Sequence, residues 1–397
     1  MDTALFISIH DLWNIYILRN INYHEKIMVF SAEIYRSRIN NAVRLLKILG
    51  GDYFLVTPSP NLVYFTGIRE ETYERIMFLV ANADGEIVLV APQLVSLPPH
   101  VRDLAEIYLW SDASGPSQII EKVARDLRIF GKIGFFEDSM RLSQLDYLRE
   151  KLSPEKIHLL SKITRELRYR KSHEEIMSVY NSVKIAEKIL QEVYNLIAPG
   201  LTERFLATQI LNLISSEGAD PAFKPIVAFG ENSSEPHHIP GDRVLRVGDL
   251  VLVDLGVAGS EGYVSDLTRI FHVGAPSKEL KDIYSIYAEC YNEVLRRIRV
   301  GIKASELDLA SRACISDHGY GAYMRHRTGH GIGLEVHEPP YISLDSNDVL
   351  ERGVVFTIEP GIYLPNKFGV RVESNIAISD EGEVIELDKL SREIIIF

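Results

Sequence analysis

Two stretches decide the fold: Val247-Gly248-Asp249-Leu250-Val251-Leu252-Val253-Asp254 and Arg352-Gly353-Val354-Val355-Phe356-Thr357-Ile358-Glu359. Each begins with a glycine turn, runs through apolar residues and ends on a carboxylate. Such a run reads as a buried strand. A carboxylate at its end is costly unless something pairs with it. Upstream, Pro199-Gly200-Leu201-Thr202-Glu203 resembles Val300-Gly301-Ile302-Lys303-Ala304-Ser305-Glu306, and each follows one long helix and opens another. Gly200 to Asp254 is 54 residues, and Gly301 to Glu359 is 58. Downstream, each half offers a second acid, Asp266 or Glu373. Two α-then-β units of this kind pack their sheets together, because each sheet needs its apolar face covered. The helix that opens the first unit carries Ser172-x-x-Glu175, a capping-box pattern, before a face of Ile176, Val179, Val183, Ala186, Leu190, Val193 and Ile197.

The residues before this repeat have a different rhythm. Ser31 opens a helix with Ile34, Tyr35, Ile39, Val43 and Leu46 on one face, stopped by Gly50-Gly51. Tyr53–Val56 reads as a strand. Ile76–Ala81 and Glu86–Ala91 flank Asn82-Ala83-Asp84-Gly85, a hairpin signal. A helix near 116–129, a strand at Lys132–Phe136 and a helix at Leu142–Leu152 complete a small α/β unit. The chain of 397 residues thus divides into 1–30, an extension without an assigned role, 31–160, the smaller unit, and 161–397, the larger one. Translation could also begin at Met28.

Composition excludes several classes. With 46% hydrophobic and 25% charged residues, wholesale disorder is ruled out. No apolar stretch is long enough for a transmembrane helix, so no membrane partner is expected. A net charge of −12 argues against nucleic acid and is compatible with sites that hold cations. The extension has no basic start, no unbroken apolar stretch and no cleavage site, so it does not read as a secretory signal. Cys290 and Cys314 are too few for a disulfide framework or a cysteine-built zinc site, and a reducing cytoplasm is the simple reading.

The chemistry lies in the acids. Asp254 and Asp266 can face each other across paired strands, with Gly259 and Gly262 turning the hairpin. Facing carboxylates repel unless they share a proton or a cation. The second half adds Glu359, Glu373 and a histidine among glycines, Thr328-Gly329-His330-Gly331-Ile332-Gly333, where the backbone can approach a ligand closely. Four carboxylates and one imidazole suit two divalent cations, of the kind Mn, Co, Fe or Zn. Two metals about 3.5–4 Å apart can hold a hydroxide and polarise a carbonyl. His237, His326 and His337 cluster in sequence around these acids and read as donors to a substrate carbonyl or oxyanion. His238, His272 and His318 receive no role.

With these motifs in place, the chain from about residue 31 to the C-terminus resembles the prolidase, aminopeptidase P and creatinase group. The resemblance rests on Pro236-His237-His238, Val253-Asp254-Leu255-Gly256, Ser265-Asp266-Leu267-Thr268, Gly329-His330-Gly331-Ile332-Gly333 with His337-Glu338-Pro339, Ile358-Glu359-Pro360-Gly361 and Arg371-Val372-Glu373. It implies an α+β chain, with a creatinase-like N-terminal domain before a pita-bread catalytic domain. It implies that Asp254 holds one metal, that His330 and Glu359 hold the other, and that Asp266 and Glu373 bridge both. A bridging hydroxide would be the nucleophile, with Glu359 relaying its proton. His237, His326 and His337 would contact substrate, and Arg371 would orient a ligand or substrate. Mn or Co would be the metals, with Zn or Fe as alternatives. The group often forms homodimers.

Two departures stand out. Eleven residues separate Asp254 from Asp266, one more than the group's usual ten, which calls for a bulge or a longer turn. Some prolidases also carry an arginine four residues after the second histidine, where this chain has Tyr341. The expected reaction is cleavage before proline, as a dipeptidase or, alternatively, as an aminopeptidase P acting on longer peptides. Creatinase is disfavoured because that enzyme lacks the full ligand set. A peptidase-like binding protein without chemistry, and a small-molecule hydrolase on the same metals, are the competing classes.

Overall fold

The computed structural model describes residues 30–397. The expectations for the extension and for a start at Met28 fall on residues 1–29, outside the described residues. Helix α1 (Ala32–Ile48) buries Tyr35, Ile39, Ala42, Val43 and Leu46 on one face. It is followed by β1 (Tyr53–Val56), α2 (Pro60–Thr66), β2 (Phe78–Asn82), β3 (Ile87–Pro92), α3 (Val101–Leu104), β4 (Glu106–Trp110), α4 (Ser117–Asp126), β5 (Ile133–Phe136), α5 (Leu142–Leu152), β6 (Lys156–Leu159) and α6 (Ser161–Tyr169). The six strands form one sheet in the order β4-β3-β2-β1-β5-β6. The hairpin expected at Asn82–Gly85 joins β2 to β3, and Gly85 takes φ 89° there. Strands β4 and β6 were not expected. They are the two edges, and their half-exposed residues lack a period-two pattern.

The larger unit opens with α7 (His173–Leu196), whose capping box is formed: Glu175 N–H donates to Ser172 Oγ at 3.4 Å, and Ser172 N–H donates to Glu175 Oε2 at 2.8 Å. Then come α8 (Glu203–Ser216), β7 (Asp220–Pro221), β8 (Ile226–Phe229), β9 (Leu250–Leu255), β10 (Val257–Ala258) and β11 (Leu267–His272). The second half has α9 (Lys278–Arg297), α10 (Ala304–Asp317), β12 (Gly329–Gly331), β13 (Glu338–Ile342), β14 (Val355–Ile358), β15 (Gly361–Leu364), β16 (Phe368–Arg371), β17 (Ser374–Ile378), β18 (Val384–Glu386) and β19 (Ile395–Ile396). The main sheets run β19-β11-β9-β8 and β13-β12-β14-β17-β18, and a bridge between Thr268 and Glu373 joins them.

The two halves repeat down to individual backbone bonds. Gly200 N–H donates to Leu245 O, and Gly301 N–H to Leu350 O. Gly248 N–H donates to Val273 O, and Gly353 N–H to Ile378 O. Each glycine has a positive φ, between 81° and 100°, which an L side chain resists. This confirms the internal repeat and places Asp254 and Glu359 at matching strand ends.

One expectation is corrected. The cysteines, too few to read as a framework, are bonded to each other and link α9 to α10 with their Cα atoms 5.5 Å apart. A count of two says nothing about distance; the packing of consecutive helices brings the thiols together. The cysteine count therefore carries no argument about the redox compartment. No helix among the described residues is long and apolar enough to cross a membrane.

The smaller unit is held to the larger by buried charge. The Arg38 guanidinium reaches Tyr64 O at 2.9 Å, Tyr263 Oη at 3.3 Å and Glu175 at 3.3 Å. Arg168 and Lys171 clamp Glu338 at 2.6 and 2.7 Å, one residue after His337.

Candidate metal centre

Strands β9 and β11 place the first two acids. Asp254 pairs with Thr268, and the register Leu255↔Leu267 continues to Ala258↔Val264 without a shift. The two aspartates are therefore not direct cross-strand partners. Asp266 lies two residues before Thr268, so both acids point to the same face on a diagonal. The extra residue sits in the turn: Gly259 N–H donates to Tyr263 O, Gly262 N–H donates to Gly259 O, and Gly262 takes φ 82°. No bulge is needed.

The second half supplies the rest. Glu359 follows β14, and Glu373 lies between β16 and β17. His330, in the middle of β12, brings Nε2 to 3.1 Å from Glu359 Oε1 and 3.8 Å from Asp266 Oδ2. One donor atom each from Asp266, His330 and Glu373 lie within 4.8 Å of one another. The glycines around His330 serve a different purpose from the one expected. A Cβ on Gly329 would come 2.0 Å from Thr357 O, and one on Gly331 2.4 Å from Pro339. They admit neighbouring strands, not a ligand.

Electrostatics show a cluster of crowded, buried carboxylates. Asp254, Asp266 and Glu373 are buried, and Asp254 Oδ1, Asp266 Oδ1 and Glu373 Oε1 have no hydrogen-bond partner. Burial, then Glu373, Asp254 and Glu359, pushes Asp266 well above the carboxylate range. Burial, then Glu359 and Asp254, does the same to Glu373. Burial also works upward on Glu359, but the hydrogen bond and charge of His330, with His326 and Arg371, carry it down to about 2. Buried oxygens without partners are rare in folded proteins. Oxygen-rich donors with one imidazole fit divalent cations of the Mn, Co, Fe or Zn kind.

The three further histidines line the same cavity, of about 750 Å³, together with Phe223, Pro225, Ile226, Ile239 and Val336. His326 Nε2 lies 2.7 Å from Tyr363 Oη, and its Nδ1 is 3.9 Å from Glu359. The His337 ring stands edge-on to His330, with centroids 4.1 Å apart, and burial with the nearby His330 and Arg327 lowers its pKa to about 4. His237 lines the cavity beside Pro236.

Arg371 grips one of the candidate ligands. Its guanidinium donates to Asp254 Oδ2 at 2.6 Å, Tyr363 Oη at 2.7 Å and Thr268 Oγ1 at 3.3 Å. It touches the cavity and is engaged in holding Asp254. Residues outside the sequence reading complete the support. Thr268 Oγ1–H donates to Glu373 Oε2 at 2.9 Å, and Asp266 N–H donates to Asn375 Oδ1 at 3.2 Å. His330 N–H donates to Thr357 Oγ1 at 3.1 Å. Thr268 and Thr357 were visible only as polar residues inside apolar strands, and Tyr363 had no signal beyond strand alternation.

Residues 178–380 match the model of metallopeptidase family M24, and residues 38–170 match that of the creatinase/prolidase N-terminal domain. The probable dipeptidase PepE of Mycobacterium tuberculosis is 33% identical over 359 residues, 89% of this chain and 95% of that protein. The chain belongs to metallopeptidase family M24. Among solved structures, a dipeptidase from Pyrococcus horikoshii is 38% identical with a TM-score of 0.85, covering 91% of this chain and 100% of that one. A prolidase from Thermococcus sibiricus is 36% identical with a TM-score of 0.84, covering 91% and 99%. The M24 protein is thus a metallopeptidase with a creatinase-type N-terminal domain and a pita-bread catalytic domain, of a family that implies divalent metal binding.

Proposed function

We propose that this M24 protein is a prolidase-like dipeptidase that cleaves the bond between an N-terminal residue and proline. The observation that carries the reading is the convergence of three partnerless carboxylate oxygens on one cavity that also carries an apolar patch of Phe223, Pro225, Ile226 and Ile239. Asp254, Asp266, His330, Glu359 and Glu373 would hold two divalent cations, Mn or Co first and Zn or Fe second. Such a pair supplies Lewis acidity to the scissile carbonyl and makes water a stronger acid.

The chain's own groups do the rest. Glu359, ionised at neutral pH, accepts a proton from the attacking water and returns it to the leaving prolyl nitrogen. His337, neutral at the same pH, and His326 and His237 present ring nitrogens to the substrate carbonyl. Phe223, Pro225, Ile226 and Ile239 exclude water and suit a pyrrolidine ring. Arg371 and Tyr363 fix Asp254 and His326. Arg327 lines the cavity, stacks its guanidinium 4.5 Å from the Tyr341 ring centroid and forms no ion pair among the described residues. In this reading it would receive the free carboxylate of a dipeptide, although Tyr341 stands where some prolidases have arginine.

The wider reading divides the chain at about residue 160 and makes it a cytoplasmic homodimer. Tyr341 favours the second reading, an aminopeptidase P acting on longer peptides. The test compares Xaa-Pro with Xaa-Pro-Yaa after Mn, Co, Zn or Fe is titrated into metal-free protein. Faster turnover of Xaa-Pro, with a KM that rises at least tenfold in Arg327→Ala, is the expected result. Preference for the tripeptide selects aminopeptidase P. A protein that retains no metal and cleaves neither substrate would be a binding module.

A further inference from the structure

Away from the cavity, the link between α9 and α10 gathers more than two sulfurs. Cys290 lies on α9 and is fully buried, while Cys314 lies on α10 and is half-buried. His318 caps the C-terminal end of α10, four residues after Cys314 and so on the same side one turn on. A ring nitrogen of His318 and the two sulfurs all lie within 4.8 Å of one another. Glu289, next to Cys290 in sequence, brings Oε2 to 3.3 Å from His318 Nε2. A covalent staple needs only the sulfurs and gains nothing from an imidazole and a carboxylate assembled over it. Two thiolates and an imidazole are three of the four donors of a tetrahedral, thiophilic ion, and Glu289, outside that set but beside His318, adds negative charge at its edge. The C-terminal end of α10 adds the negative pole of a helix, which favours a cation at that place.

We propose that reduction of the Cys290–Cys314 bond opens a second metal site, built from Cys290, Cys314 and His318 with solvent at the fourth place, for a thiophilic divalent ion of the zinc kind. It shares no residue with the carboxylate-rich centre and sits on the outer helices of the second half. The chemistry balances. An external dithiol gives the S–S bond two electrons and two protons and closes to its own disulfide. On loading, the ion takes the place of both thiol protons, which leave to solvent. The His318 side chain is 35% exposed, so reductant and ion reach the site from the surface. The same helix pair is thereby cross-linked covalently in the oxidised chain and by metal in the reduced one.

Cobalt reports the site separately from the catalytic one, because thiolate ligands give Co(II) an intense near-ultraviolet charge-transfer absorption that carboxylates and imidazoles do not. Full-length protein is reduced with a water-soluble phosphine, which is itself oxidised to the phosphine oxide. Free thiols are counted to verify two per chain, and Co(II) is then titrated in. The expected result is a thiolate–cobalt band that saturates with one extra cobalt per chain over the unreduced protein and is bleached by zinc. It should be absent without reduction and in Cys314→Ser, and its cobalt affinity should fall at least tenfold in His318→Ala. Cys314→Ser should keep wild-type turnover of Xaa-Pro, since the helix pair does not line the cavity. Reduced protein with two free thiols per chain and no band would overturn the proposal. So would a band whose cobalt affinity is unchanged in His318→Ala, which would describe a bare dithiol.

Discussion

The two halves of the catalytic domain share a backbone plan and divide the chemistry unequally. The first half, through β9 and β11, contributes only aspartates, short side chains fixed close to their strands. The second, through β12, β14 and the β16–β17 junction, contributes both glutamates and the imidazole. Each half also secures the other's acid. Arg371, from the second half, grips Asp254, and Thr268, from the first, holds Glu373. Duplication explains why carboxylates recur at matching strand ends. It does not explain their different environments. Glu359 hydrogen-bonds a histidine and is pulled down to about 2, whereas Asp254 leans on an arginine and keeps one oxygen without a partner.

That asymmetry can be broken by pairing substitutions at equivalent positions. Glu359→Gln should leave circular dichroism unchanged and lower kcat by about 10²–10⁴, the span of general acid–base catalysis. Asp254→Asn, its counterpart in the first half, should recover a larger share of turnover when excess Mn is supplied, because it lacks the proton-relay task. Equal losses that metal does not rescue would erase the distinction between the halves.

A second contrast is between loaded and metal-free protein. Asp266 and Glu373, one from each half, have folded pKa values raised chiefly by burial. A raised folded value favours the fold while the group is protonated, and this contribution is lost as pH rises through the folded value. Metal-free protein should therefore lose thermal stability as pH climbs from about 4, the ordinary carboxylate range, towards neutrality. Excess Mn should flatten that slope. Melting temperatures of metal-free wild type and Asp266→Asn across pH give the answer, because His337, lowered to about 4 by burial, works the other way over the same range; a slope unchanged by Asp266→Asn would contradict the assigned burial.

The smallest expected effect sharpens the comparison furthest. Tyr363→Phe removes the hydroxyl shared by His326 and Arg371, both of the second half. Each keeps other partners, so a fall in kcat of roughly tenfold, about 1.4 kcal/mol in the barrier, is expected with metal content unchanged. Loss of metal instead would show that Tyr363 supports the cation donors through Arg371.

Much of this was legible in the residues because the signals were local. Gly248 and Gly353, apolar runs ending on acids, and Ser172 with Glu175 each state a backbone requirement within a few positions. The five candidate ligands were readable because a carboxylate or imidazole in an apolar strand has few inexpensive explanations. What escaped were relations across distance. Nothing near Arg371 in sequence signals Asp254, 117 residues away, as its partner. The diagonal relation of Asp254 and Asp266 needed the turn at Gly262, and the Cys290–Cys314 bond needed the crossing of two helices. Edge strands β4 and β6 escaped because half their side chains face water.

The mutual grip of Arg371 on Asp254 and Thr268 on Glu373 bears on how this peptidase would age. A nick in the Val273–Ser277 connection separates no donor from its neighbours while the pieces stay docked, so a clipped molecule would go on working. Once the pieces drift apart, each carries away an incomplete cage, and inactivation would follow dissociation rather than cleavage.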